Sequence, residues 1–350
     1  MRKIGIALGI CIAAFLGLAA FGPLLARPVS EQKLRDMGII EPDSSFIDVD
    51  GVKTRYVAKG TGDDPIIFIH GFSSSLYTWR NCLDTIAAQH RVYALDLEGF
   101  GFSDKPAADY TIDGYVDFVA HFMDALNMKS AVLCGNSMGG NISWRTALKY
   151  PDRVSKLILV DASGYPSEDA GKHSGLPFLL RIGRLPGVGE LFSFLASRGQ
   201  IRSSLESAYC DDAKVTDHTV DVYYYALKTE GGMRAVLARM RGSRDDLKQW
   251  SEKIPSLTVP TLIVWGAQDT WIPVENADRF HNDIAGSKLV TLDGCGHLPQ
   301  EEFPEEFSKQ VLDFLSAQQG PTVTDSMTDE FVIPKIRLMV QRQRGFLKVL

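Results

Sequence analysis

The run Ala131-Val132-Leu133-Cys134-Gly135-Asn136-Ser137-Met138-Gly139-Gly140 constrains this chain more than any other stretch. It reads as a short apolar strand, a tight turn carrying one serine, and a helix that begins at the glycines. An apolar run of this length, bounded by glycine, is the pattern of a buried strand. The turn fits G-x-S-x-G, in which the serine sits at a sharp strand-to-helix corner and its hydroxyl projects above the sheet. The spacing has a steric cause. Ser137 must hold an unfavourable backbone conformation, and side chains two positions before or after it would collide with the turn. Gly135 and Gly139 remove them. Gly140 lets the helix lie close to the sheet. Alone, the pattern also fits a glycine-rich turn with an incidental serine. Serine chemistry needs a context: an oxyanion loop upstream, then an acid and a histidine downstream.

The flanking sequence predicts an open α/β fold. Phe46–Val49 and Thr54–Val57 flank Asp50-Gly51, a hairpin signal. Pro65–Ile69 is a continuous apolar strand that runs into His70-Gly71-Phe72-Ser73. A helix is expected over about 79–89, then a strand over 92–96 and the turn Leu97–Asp104. Ile112–Leu126 has helical apolar spacing, and a helix should follow Ser137 to about Tyr150. Lys156–Val160 is another buried strand, ending at Asp161. Strands alternating with helices indicate a mostly parallel sheet with helices on both faces. The alternation stops over 164–250, which reads as a helical cap insertion with aromatic clusters such as Tyr223-Tyr224-Tyr225. It resumes with strands at Thr261–Trp265 and Ser287–Leu292 and a closing helix over Phe303–Leu315. The core is therefore expected over 40–163 and 251–318.

A serine hydroxyl is a poor nucleophile at neutral pH and needs a base within reach. Histidine can take a proton and return it, and a carboxylate fixes its tautomer and stabilises its cation. Open parallel sheets place such groups just past strand ends. Asp269 follows one late strand in Trp265-Gly266-Ala267-Gln268-Asp269, and His297 follows the next in Asp293-Gly294-Cys295-Gly296-His297. Taken singly, each also fits a surface turn or a satisfied loop residue. The order Ser137, Asp269, His297 is the one this architecture requires. Asp161 is the rival acid, because it too ends a strand. Asp269 is preferred because its loop leads directly to the last strand and His297. The developing oxyanion needs preset donors, and the backbone amides of Phe72 and Met138 are the candidates. His70 begins the oxyanion loop and is read as a brace rather than a base. Asp96 and Asp104 are read as holding their turn together.

The ends are separate matters. Met1-Arg2-Lys3 precedes a nearly charge-free stretch from Ile4 to Ala26, about the length of a membrane-crossing helix. Residues 1–26 are read as an uncleaved anchor, with a signal peptide cleaved after Leu24-Leu25-Ala26 as the alternative. The catalytic body is placed on the extracytoplasmic side. The tail, 319–350, turns polar and then basic, with Lys335, Arg337, Arg342, Arg344 and Lys348 among apolar residues. It reads either as an amphipathic segment on an anionic membrane or as a disordered tail. A net charge of -6 and the lack of a basic aromatic patch in the body argue against a nucleic-acid partner. The five cysteines form no CxxC pair, so neither a metal site nor a disulfide framework is suggested.

The motifs HGFSSS from His70, DLEGFGFSD from Asp96, GNSMGG from Gly135, WGAQDTWIP from Trp265 and GCGHLPQEEFP from Gly294 resemble those of α/β-hydrolase fold enzymes over roughly 46–318. The resemblance implies Ser137 as nucleophile, Asp269 as acid, His297 as base, and Phe72 with Met138 as the oxyanion hole. It also implies a cap over the site and no cofactor. GNSMGG and CGH resemble the meta-cleavage product hydrolases, which break carbon–carbon bonds. Those enzymes tend to have a glycine-rich oxyanion loop and a tryptophan after the histidine; here Phe72-Ser73 and Leu298 stand instead. Epoxide hydrolases and haloalkane dehalogenases use aspartate where Ser137 stands. Membrane-associated monoacylglycerol lipases and carboxylesterases fit best. The expected function is hydrolysis of lipophilic carboxylic esters, with Phe178 and Phe192 of the cap as candidates to line the acyl site. Carbon–carbon hydrolysis with the same triad and a non-enzymatic binding protein on this scaffold are the alternatives.

Overall fold

A computed structural model describes residues 29–166, 196–241 and 246–317. Eight strands form one sheet in the order β1-β2-β4-β3-β5-β6-β7-β8. They are β1 (Ser45–Val49), β2 (Val52–Lys59), β3 (Ile66–Ile69), β4 (Val92–Leu95), β5 (Ala131–Asn136), β6 (Val154–Val160), β7 (Thr261–Gly266) and β8 (Lys288–Leu292). The hairpin β1–β2 is antiparallel, and β2 also runs antiparallel to β4. Every pairing from β4 through β8 is parallel. Asp50 and Gly51 both take positive φ, 53° and 81°, the turn that closes a two-residue hairpin.

The helices among the described residues are α1 (Glu31–Asp36), α2 (Leu83–Ala87), α3 (Ile112–Ala125), α4 (Met138–Lys149), α5 (Arg198–Ala208), α6 (Asp217–Lys228), α7 (Gly232–Arg241), α8 (Leu247–Ser251), α9 (Glu275–Asp283), α10 (Pro299–Glu302) and α11 (Pro304–Ser316). The strands sort their side chains with period two. Ile67, Leu133, Leu159 and Ile263 point to one face and pack with Val119 and Phe122 of α3, Ile142 of α4 and Phe280 of α9. Their neighbours Ile66, Val132, Ile158 and Leu262 point to the other, with Ile86 of α2 and Phe307 and Val311 of α11. The central strands β3, β5 and β7 are buried along their whole length, which is why they read as unbroken apolar runs.

The expected helix over 79–89 is shorter. A 3-10 turn spans Leu76–Trp79, capped by the Ser75 hydroxyl, and α2 begins only at Leu83. Trp79 and Cys82 are wholly buried, so the connection bends to insert them into the core instead of continuing one helix.

Between β6 and β7 the described elements are helical. α5 packs Leu205, Ala208 and Tyr209 against Val215, Val220 and Leu298. Ahead of the sheet, Leu34, Ile39 and Ile40 pack against Tyr77 of the core and Val222 of α6. The apolar leader, Phe178 and Phe192, and the basic tail lie outside the described residues. Among the described residues, no helix is long and apolar enough to cross a membrane.

Candidate active site

β5 delivers Ser137 to a sharp corner. Its φ of 56° and ψ of -115° lie where a non-glycine residue is strained. The chain around it leaves no room for side chains. A Cβ on Gly135 would meet the Gly139 carbonyl oxygen at 2.2 Å, and one on Gly139 would meet that of Ile69 at 2.1 Å. A Cβ on Gly140 would meet the Ala162 side chain at 2.4 Å, so α4 starts in contact with the end of β6. The corner is tied from behind: Ser137 N–H donates to the Val160 carbonyl at 2.9 Å, and Ser163 N–H donates to the Ser137 carbonyl at 3.0 Å.

Asp269 and His297 meet past the ends of β7 and β8. His297 Nδ1 lies 2.7 Å from Asp269 Oδ2, with the histidine ring and the carboxylate both shielded from solvent. The other carboxylate oxygen, Oδ1, accepts the N–H groups of Trp271 at 2.7 Å and Ile272 at 3.0 Å. Two backbone amides hold Asp269 Oδ1, and in the tautomer whose Nδ1–H donates to Oδ2 the Nε2 of His297 is left free to accept. The backbone of His297 is fixed twice. Its N–H donates to the Ala208 carbonyl at 2.7 Å, and Asn136 Nδ2 donates to its carbonyl at 3.1 Å. Ser137 and His297 share a cavity wall without a direct hydrogen bond between their side chains. Such contacts often tighten only when substrate is bound.

The loop that follows β3 lies against Ser137. A Cβ on Gly71 would sit 3.2 Å from the Ser137 Cβ. Among the described residues, no acceptor takes the N–H of Phe72, and none takes that of Met138 at the start of α4. His70 is wholly buried and its two ring nitrogens are committed, Nδ1 to the Gly71 carbonyl at 2.7 Å and Nε2 to the Leu97 N–H at 3.1 Å. Burial pushes its pKa down, which suits a neutral brace and not a proton shuttle. Asp96 likewise serves structure: it accepts the N–H groups of Leu76 and Phe102 and pairs with buried Arg55. Asp104 accepts the Lys53 N–H.

Ser137, His297, Gly71 and Phe72 face one cavity of about 310 Å³. Ile201 and Leu205 of α5, Leu227 of α6, Ile272 and Leu298 give it apolar walls. Phe72 and Trp271, also lining it, are more than one third exposed. Ser74 and Tyr223 supply hydroxyls, 3.0 Å apart. Among the described residues, no lysine or arginine lines the cavity.

Two acids that motif reading passed over join the inserted helices to the core. Glu301 accepts hydrogen bonds from Thr78 at 2.7 Å, Tyr209 at 2.6 Å and Tyr223 at 3.1 Å, and pairs with Arg80. Glu302 accepts the N–H groups of Gly296 at 2.7 Å and Cys210 at 2.8 Å, beside His297. Desolvation raises the Glu302 pKa, against the lowering effect of these amides. The available signal was two acids following a catalytic-type histidine and packed among apolar residues.

Among the described residues, one set of three metal-type ligands converges: Asp161, Asp269 and His297, with donor atoms within 4.8 Å of one another. Both oxygens of Asp269 are already hydrogen-bonded, one of them to His297, so this set is organised around protons rather than a cation.

Comparison with known proteins agrees with the fold. A family model described as alpha/beta hydrolase fold matches residues 64–304. A Bacillus subtilis protein named "Uncharacterized hydrolase YugF" is 31% identical over 80% of this chain and 100% of its own length. The "2-hydroxy-6-oxo-6-(2'-aminophenyl)hexa-2,4-dienoic acid hydrolase" of Metapseudomonas resinovorans is 31% identical over 79% of this chain and 92% of its own. A solved serine hydrolase involved in carbazole degradation is 28% identical, with a TM-score of 0.66, over 79% of this chain and 99% of that one. With a matched eight-stranded, mostly parallel sheet, this chain belongs to the α/β-hydrolase fold family.

Proposed function

We propose that this hydrolase cleaves carboxylic esters of lipophilic substrates through an acyl-enzyme. The observation that carries the reading is that Ser137, His297 and Phe72 line one apolar cavity, with Asp269 hydrogen-bonded to Nδ1 of His297 behind it. Ser137 Oγ attacks the ester carbonyl while His297 Nε2 takes its proton. Asp269 holds the imidazole in the tautomer that leaves Nε2 free and stabilises the imidazolium. The Phe72 and Met138 amides donate to the oxyanion. His297 then protonates the departing alcohol, and a water activated by the same nitrogen releases the acid and restores Ser137.

The wall composition favours a neutral, apolar substrate. Burying an anion without a counter-charge is costly. The relative from Metapseudomonas resinovorans is named for a dienoic acid, which carries a carboxylate. Its likeness supports a second reading, carbon–carbon hydrolysis with the same three residues. Turnover of simple aliphatic esters of graded chain length, set against turnover of a vinylogous diketone ring-fission acid, separates the two. The ester reading predicts higher kcat/KM on esters; faster cleavage of the ring-fission acid would replace it with the second reading. In either case Ser137→Ala should lower turnover by roughly 10⁴-fold or more with the fold retained. Full activity in that variant would remove Ser137 from its role. The reading extends to the leader, which would hold the enzyme at a membrane where lipophilic esters concentrate. Release of full-length protein by alkaline carbonate washing of membranes would count against that extension.

A further inference from the structure

We propose that Asp161 is a positioning residue of this site: a neutral carboxylic acid whose O–H donates a hydrogen bond to the Asp269 carboxylate. Asp161 ends β6 in a strained conformation, with φ of 42°, and is wholly buried. One of its oxygens, Oδ1, accepts the Gly266 N–H at 3.0 Å. The other, Oδ2, is buried, and among the described residues no donor reaches it. The carboxyl groups of Asp161 and Asp269 approach within 4.8 Å, His297 being within the same limit.

Two carboxylates this close and this well shielded cannot both be ionised, because their repulsion is not screened by water. The hydrogen bonds decide which one keeps the proton. Asp269 receives three N–H donors, from Trp271, Ile272 and His297. Asp161 receives one. Donors stabilise the charged form, so Asp269 is the anion and Asp161 the acid. A proton on Asp161 Oδ2 also satisfies the one oxygen that otherwise has no partner. Two acids that face Asp161 push the same way, whereas the third ionisable neighbour, His297, would oppose them when its ring is charged. Burial raises its pKa, and the Asp269 and Glu302 charges add to that. Burial is the main cause that raises the Cys295 thiol, with Glu302 adding to it, so the thiol brings no countercharge.

The consequence is geometric and electrostatic. A neutral donor behind Asp269 fixes the carboxylate so that Oδ2 faces Nδ1 of His297, and it adds no second negative charge to raise the basicity of the imidazole. The Asp161 proton stays where it is throughout turnover; the protons that move pass through Nε2 of His297, first from Ser137 to the leaving group and then from the attacking water back to Ser137.

The inference rests on the proposed hydrolysis only for its kinetic readout. Infrared spectra of the wild-type protein at neutral pH, in H₂O and D₂O, should show a protonated-carboxyl band that shifts on deuteration and disappears in Asp161→Asn. Absence of that band, or its persistence in the variant, overturns the proposal. Isotope labelling of aspartate carboxyl carbons in the wild-type chain keeps the test available if the variant does not fold: a band that ignores the label also overturns it. In kinetics, Asp161→Asn preserves a neutral donor and should keep kcat within about threefold, with the acid limb of kcat/KM in place. Asp161→Val removes the donor and should lower kcat roughly 10- to 100-fold with little change in KM. An asparagine variant as impaired as the valine one, or with its acid limb moved to lower pH, would show that Asp161 carries a charge. A wild-type protein inert on esters would count against the hydrolytic reading and leave the infrared result to decide Asp161.

Discussion

β6 and β7 are adjacent parallel strands, paired from Leu157↔Thr261 to Val160↔Val264, and each leads to a buried aspartate. The two aspartates face different turns. After β7 the chain folds back so that the Trp271 and Ile272 amides point at the Asp269 side chain. The same loop is tied to the end of β8 by Ala267 N–H to the Leu292 carbonyl and Gln268 N–H to that of Cys295, both 2.9 Å. After β6 the chain turns toward Ser137, and among the described residues Asp161 is left with the Gly266 N–H alone. Residue type and position at a strand end are therefore not enough to define a catalytic acid. The number of N–H groups that the local turn aims at a carboxylate decides its charge, and with it the role it can take.

The largest effect expected from breaking this asymmetry is at Asp269. Asp269→Asn would turn an acceptor toward His297 into an amide that stabilises the wrong tautomer, and kcat should fall by roughly 10⁴-fold with KM little changed. Initial rates on an ester over a range of concentrations check this; a loss below tenfold would mean that Asp161 already shares the work. Next is Gly266, whose N–H donates to Asp161 and whose carbonyl accepts the Asp269 N–H at 3.2 Å. A Cβ there would meet the Gly296 carbonyl oxygen at 1.8 Å, a backbone atom that cannot swing away. Gly266→Ala should cost about 2–3 kcal/mol, lowering Tm by about 5–10 °C, and push the His297 loop out of place. An unchanged melting temperature would contradict that packing.

The smallest effect sharpens the comparison through stability. A carboxyl whose pKa is raised on folding holds its proton in the folded state when the unfolded chain has lost it. Its contribution is full below the unfolded value, about 3.9 for aspartate, and is lost as pH rises toward the folded one. Asp161→Asn lacks this dependence. The variant should gain on the wild type in denaturant midpoint between about pH 5 and pH 8. A difference between the two proteins that stays constant with pH would contradict a protonated Asp161.

The parts of the site that sequence made legible are those with local causes. Gly135, Gly139 and Gly140 announce the corner because each clashes with backbone or a neighbouring chain within a few residues of the turn or at an adjacent strand end. β3, β5 and β7 announce themselves as apolar runs because both faces are covered. The shorter helix near Trp79 was not legible, because Trp79 packs on Phe307 of α11, more than two hundred residues along the chain, as well as on Phe68 of β3. Nor were the roles of Glu301, Glu302 and Tyr223. Glu301 is met by Thr78, Tyr209 and Tyr223, and Tyr223 by Ser74, and no spacing rule joins residues so far apart in the chain. Asp161 was legible as a rival acid, but its single donor was visible only once β6 and β7 lay side by side.

Trapping the acyl-enzyme tests the central claim most directly. Folded wild-type protein, mixed with a slowly deacylating activated ester and examined by intact mass and peptide mapping, should carry one acyl group per chain, located on Ser137. The adduct should be absent in Ser137→Ala and form far more slowly in His297→Ala. Folded protein that turns over ester without acylating Ser137, or that carries the acyl group on another residue, would contradict it.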